Sequence, residues 1–241
     1  MLRLATPSLA LHKPPLNVVL GGIASFFPFH AAMCDYWFLR ELQWCYLFMG
    51  IGELLDQIRA YYLDRFQDEI LIYQRAPQTQ VFVEAVILDA SGAPARSGTL
   101  DLPMRLDLVT VTEGTADQSV AIDTEGMLGF APISFDWSDH LRVHLKPFQW
   151  NSCPVELTSD RDFGELAPLV SWFEKWFNER EKSDKPFFGV LHALSDPVLE
   201  SGGNSLEFDV DFGSAPVEAL EELVDACQMV GATAVSIGID S

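Results

Sequence analysis

The sequence predicts an α+β fold in three stretches: an apolar, aromatic helical region over 1–69, an antiparallel β region over 70–150, and an acidic unit over 151–241 with the element order β-α-β-β-α-β. Three observations carry this. Leu54, Leu55, Ile58, Tyr61, Tyr62 and Phe66 recur at helical spacing, with Asp56, Arg59, Asp64 and Arg65 on the opposite face. From residue 70 the period changes to two. In Ser205-Leu206-Glu207-Phe208-Asp209-Val210-Asp211-Phe212 the alternation is strict, so a strand sends the apolar residues to one face and Glu207, Asp209 and Asp211 to the other.

Residues 1–15, with Arg3, Lys13, Pro14 and Pro15, read as an extended lead-in. The uncharged run 16–33 approaches the length of a membrane span, yet Gly21, Gly22, Ser25, Pro28 and His30 interrupt or weaken a helix there. It reads as buried core or an interface; membrane association through residues 16–50 and a cleaved signal are the alternatives. The stretch 35–48 holds Tyr36, Trp37, Phe38, Trp44, Tyr46 and Phe48, so any helix it forms is apolar nearly all round and needs covering, by this chain or by a second copy in a homo-oligomer. Gly50 and Gly52 end it, and a helix over 53–68 follows.

Strands are expected at 70–73, 81–88, 102–111, 120–123, 128–135 and 141–145, with Gly92 and Gly126 supplying tight reversals. Beyond Pro154, the spacing predicts a strand at 155–157 and a helix at 165–182 built on Leu166, Leu169, Trp172, Phe173, Trp176 and Phe177. The nearly unbroken apolar run 187–194 reads as a strand covered on both faces. A turn with Pro197, Gly202 and Gly203 leads to the strand at 205–212. The next helix, 215–230, has Ser214 as its cap and Pro216 in its first turn; its core stripe is Val217, Leu220, Leu223, Val224, Cys227 and Val230, and Gly231 is its stop. A strand carrying Val235, Ile237 and Ile239 closes the chain. From Val155 onward this order resembles the split βαβ arrangement of ferredoxin-like domains, in element order alone and over about 85 residues.

Net charge is −20, spread as −2 over 1–100, −8 over 101–185 and −10 over 186–241, where there is no Lys or Arg. Such a surface repels phosphate backbones, which argues against direct nucleic-acid binding; it favours a basic protein partner, the alternative being that the acids only keep the protein in solution. Cys34, Cys45, Cys153 and Cys227 are widely spaced with no C-x-x-C pair, as expected of reduced, mostly buried thiols in a cytoplasmic protein. No metal or cofactor is expected. The nucleophile-elbow, P-loop, H-E-x-x-H and dinucleotide-binding motifs are all absent.

Glu207, Asp209 and Asp211 are the candidate partner-binding residues, because carboxylates two apart on one strand face repel one another unless water, a metal or a cationic group sits among them. Asp136, Asp139 and His140 form the best local cluster of acid-base and metal-binding types, although Asp and Ser are also ordinary turn formers. His140 and His144 have the spacing that chelates zinc on a helix, but on the strand expected there they stand roughly 13 Å apart. His192, inside an apolar run, reads as a hydrogen-bonded core histidine. The leading expectation is a non-enzymatic acidic interaction protein, such as an immunity protein or inhibitor, that binds a basic partner. The alternatives are a hydrolase or other enzyme using carboxylates from Asp136, Asp139, Glu207, Asp209 or Asp211, and a structural subunit assembling through its aromatic N-terminal region.

Overall fold

The computed structural model describes residues 50–112, 116–122, 126–178, 187–200 and 202–240. The expectations placed on residues 1–49 lie outside these.

Helix α1, Ile51–Gln74, buries Leu54, Leu55, Ile58, Tyr62, Leu63, Phe66 and Ile70 along one stripe. The strand expected at 70–73 is the last turn of this helix. Ile70 extends the Tyr62, Phe66 series by another step of four, and this tertiary anchor overrides the strand preference of Ile and Tyr. Ile72 is left 57% exposed as a result.

Strands β1 (Thr79–Val86), β4 (Arg105–Thr112) and β5 (Gln118–Val120) form an antiparallel sheet in the order β1-β4-β5. A short hairpin pairs β2 (Arg96–Ser97) with β3 (Leu102–Pro103). The remaining strands are β6 (Ile133–Ser138), β7 (Leu141–Leu145), β8 (Cys153–Thr158), β9 (Ala193–Leu194), β10 (Val198–Leu199), β11 (Ser205–Asp211) and β12 (Ala234–Ile237). They make one seven-stranded sheet ordered β10-β11-β8-β12-β7-β6, with β9 also pairing β11. Neighbours are antiparallel except β12 and β7, which run parallel. This sheet takes strands from both sides of residue 150, so the division drawn there from sequence separates elements that share hydrogen bonds.

Helices α2 (Ala167–Asn178) and α3 (Val217–Met229) pack on each other through Trp172, whose indole N–H donates to the carbonyl of Ala219 at 2.8 Å. The α3 stripe Leu220, Leu223, Val224 and Cys227 is buried with Leu206, Phe208, Val210, Val235 and Ile237 of the sheet. Glu207 and Asp209 on β11, and Glu156 on β8, are exposed. Gly231 ends α3 with a φ of 100°, and the N–H of Ala232 reaches back to the carbonyl of Cys227.

Two expectations for this region are corrected. Of the strand expected at 187–194 only Ala193–Leu194 is a strand. Gly189 takes a φ of 71°, which no regular strand accommodates, and Phe187, Val190, Leu191 and His192 are buried as an irregular segment. Ser214 does not cap α3. The helix starts at Val217 after Pro216, without a side-chain cap, and the Ser214 hydroxyl is used elsewhere.

Cys153 and Cys227 are unpaired and fully buried, and burial pushes both thiols well above their ordinary range. Peptide-resolved alkylation near pH 8 is therefore expected to leave both unmodified in native buffer and to modify both after denaturation. Rapid native labelling of Cys227 would show that α3 opens locally.

Candidate functional site

The most concentrated chemistry among the described residues is a buried network around His192, which is itself 0% exposed. Glu84 on β1 and Asp107 on β4 lie at facing positions of the antiparallel pair, between the partners Val83↔Leu108 and Ala85↔Leu106. Gln80 and Phe82 face outward, and simple alternation would send Glu84 outward as well. A φ of 52° at Glu84 interrupts the regular strand backbone, and the residue is only 1% exposed.

The two carboxylates hold the imidazole from either side. His192 Nδ1 lies 2.8 Å from Asp107 Oδ1, and Nε2 lies 3.0 Å from Glu84 Oε1. Each carboxylate has further donors. Tyr62 of α1 donates its hydroxyl to Asp107 Oδ1 at 3.0 Å, and the N–H of Ile122 donates to Oδ2 at 2.7 Å. Glu84 accepts from the Ser214 hydroxyl and from the N–H of Phe188. Ser214 Oγ in turn accepts from the N–H of Gly189 at 2.8 Å, which explains why it is drawn away from a capping role. Phe66 meets the imidazole edge-on at 6.2 Å.

Arg105 adds a buried cation. It donates to the carbonyls of Glu84 and Phe177 and stacks 4.5 Å above the Phe177 ring. From α1, Arg59 donates to the carbonyls of Ser214 and Ala215, tying that helix to the segment just before α3.

Asp211 ends β11 beside this network, with Oδ2 at 3.7 Å from His192 Nδ1 and Oδ1 accepting from the N–H of Gly213 at 2.9 Å. It also lines a groove of about 410 Å³ whose walls include Leu100, Met104 and Leu194, with Asp196 and Asp209 among its other residues.

Burial works against the charged form of His192, but the bonds to Asp107 and Glu84 and the charge of Asp211 outweigh it and raise its pKa to about 10. Burial pushes Asp211 up to about 6 against the opposing pull of His192, with the charges of Asp107 and Glu84 adding to the rise. Burial and the neighbouring Asp107 raise Tyr62 well above the ordinary phenol.

The residues singled out in the sequence are distributed over three places. Glu207 and Asp209 stand exposed on the sheet face, whereas Asp211 is half-buried at the edge of the network. Glu207 lies directly opposite Glu156 of β8. Asp136, Asp139 and His140 are exposed around the β6–β7 turn; Asp136 pairs with Arg142 at 3.5 Å, and the His140 N–H donates to Ser138 Oγ. Three possible ligand atoms within 4.8 Å of one another come instead from Asp107, His192 and Asp211. His144 bonds Ser134 at 2.8 Å on the neighbouring strand, and His140 and His144 sit on the turn and strand rather than on a helix.

Sequence reasoning missed Glu84, Asp107, Tyr62 and Ser214. The available signal was a lone carboxylate inside each of two otherwise apolar strand patterns, Val81-Phe82-Val83-Glu84-Ala85-Val86 and Leu106-Asp107-Leu108-Val109. No helix among the described residues is long and apolar enough to cross a membrane. Comparison of the chain with protein-family models, with curated proteins and with solved structures finds no match, so the reading of these residues rests on their own geometry.

Proposed function

We propose that the protein is an acidic interaction protein that docks a basic partner on the open face of its large sheet. The observation that carries this reading is the direct pairing of Glu207 with Glu156 across β11 and β8, both exposed. Like charges placed opposite each other cost stability, roughly 0.2–1 kcal/mol, and a cationic group laid over them would turn that cost into attraction. Asp209 and Asp196 extend the same acidic field along a shallow groove, while the groove's Lys146 is engaged by Asp240 at 3.0 Å. An inhibitor or immunity protein of a cationic toxin fits this chemistry.

A ferredoxin-like unit over 151–241 belongs to the same proposal. It is supported by the strand order β10-β11-β8-β12, with α2 and α3 in the two crossover connections.

The test begins with capture of a partner from the native host, followed by association rates at several salt concentrations. Wild type is expected to associate more slowly as salt rises, because screening acts over about 8 Å at physiological ionic strength. The triple variant E156Q/E207Q/D209N is expected to associate about tenfold more slowly at low salt, with a flattened salt dependence. Asp211 is left out because it contacts the buried network. Salt-insensitive association, or a captured partner that is not basic, would overturn the proposal.

A further inference from the structure

We infer that Asp107, His192 and Asp211 form a binding site for a divalent transition-metal ion, with its open coordination position facing the groove lined by Leu100, Met104 and Leu194. This goes beyond the docking surface and does not depend on it.

The donor set comes from three separate elements: β4, the irregular segment before β9, and the end of β11. Nδ1 of His192 lies 2.8 Å from Asp107 Oδ1 and 3.7 Å from Asp211 Oδ2, and the three ligand atoms all lie within 4.8 Å of one another. With bonds of about 2.1 Å to nitrogen and oxygen, neighbouring ligands of one ion stand about 3.0–3.4 Å apart at octahedral or tetrahedral angles. Asp211, the half-buried member, closes the set by moving inward by roughly an ångström.

The surroundings match what a metal-bound histidine requires. A ligating imidazole hands its other N–H to a carboxylate, which fixes its tautomer and orientation. Here Nε2 faces Glu84 Oε1 at 3.0 Å, and Glu84 is itself held by Ser214 and by the N–H of Phe188. Asp107 is oriented in the same way by Tyr62 and by the N–H of Ile122. Gly213 lies so close to the imidazole that a Cβ there would stand 2.2 Å from Cδ2, so the ring has no room to swing away.

Charge balance points in the same direction. Three carboxylates lie around the imidazole, and the cations of the network are the imidazolium, with at most a single positive charge, and Arg105. A divalent ion in place of the Nδ1 proton offsets one more of those negative charges. An imidazole with two carboxylates suits Zn²⁺, Co²⁺, Fe²⁺ or Mn²⁺ over the oxygen-seeking Mg²⁺. Of the three donors Asp211 lines the groove, together with Asp196 and Asp209, so an ion and a water as a further ligand would enter from the Asp211 side.

The test uses the full chain, stripped of metal with a chelator and titrated separately with Co²⁺, followed by its visible absorption, and with Zn²⁺ and Mg²⁺, followed by calorimetry. One Co²⁺ or Zn²⁺ per chain is expected to bind, with Mg²⁺ at least tenfold weaker. D211N, at a half-buried position, is expected to keep the native circular dichroism spectrum and to bind Zn²⁺ at least tenfold more weakly. E84Q, which keeps the shape of the supporting residue, is expected to weaken binding about 10–100-fold. H140Q, altered in the exposed cluster, is expected to bind as wild type. Unchanged Zn²⁺ affinity in folded D211N, or binding at many weak sites that salt abolishes, would overturn the inference and assign the affinity to surface carboxylates.

Discussion

Replacing His192 by leucine is expected to lower the free energy of unfolding by about 3–5 kcal/mol, a large share of the total for a domain of this size. The imidazole separates Glu84 and Asp107, which occupy facing positions on β1 and β4 and are 1% and 7% exposed. Leucine fills similar space but leaves two buried carboxylates side by side without the cation between them. Tyr62, Ser214 and the backbone donors solvate them only in part, and Arg105 donates to carbonyls in this region. The check is equilibrium urea unfolding of metal-free protein, read as a shift in midpoint at constant slope. The double variant D107N/H192L should lose less than the two single losses added together, because one buried charge leaves with its partner. A loss below about 1 kcal/mol for H192L would mean that water reaches the carboxylates and that the network contributes little to folding.

Gly213→Ala is expected to cost about 3 kcal/mol or more, through two effects that add. The residue has a φ of 49°, a region that costs a side-chain-bearing residue about 1–2 kcal/mol. The new methyl would also stand 2.2 Å from His192 Cδ2 and 2.5 Å from Nε2, so either the ring or the backbone must move. The ring cannot move freely, because both its nitrogens are engaged by buried carboxylates. Thermal and urea unfolding would measure the loss. Gly52→Ala is the matched control: it lies inside α1 with nothing within 4 Å of the added carbon, and it should stabilise by about 0.5–1 kcal/mol. Equal effects at the two positions would show that the contact between Gly213 and His192 does not constrain the site.

Much of the local architecture could be read from periodicity. The strand Leu141–Leu145 and the alternation of Ser205–Asp211 follow directly from residues two apart, and α3 follows from its stripe of Val217, Leu220, Leu223 and Val224. These patterns are legible because each element buries one face, and a buried face leaves a period in the sequence. The exposure of Glu207 and Asp209 was legible for the same reason, as was the burial of His192.

The neighbours of each element were decided by the tertiary structure alone. Ile70–Tyr73 has strand-forming residues, but the place of Ile70 beneath Tyr62 and Phe66 keeps it helical. Ser214 stands where a helix cap belongs, but its hydroxyl donates to the buried carboxylate of Glu84, more than a hundred residues away, and its oxygen accepts from the N–H of Gly189 instead of from the N–H groups at the helix end. Asp211 shares its strand parity with Glu207 and Asp209 and still ends beside His192, because it pairs with Ala193, the residue that follows His192 in the chain. The convergence of Glu84, Asp107, His192 and Asp211 left no local period at all. Glu84, Asp107 and His192 are single polar residues in apolar stretches and Asp211 is the last of an alternating acidic series; only strand pairing brings the four together, since side-chain chemistry acts over a few ångströms of space whatever the distance along the chain.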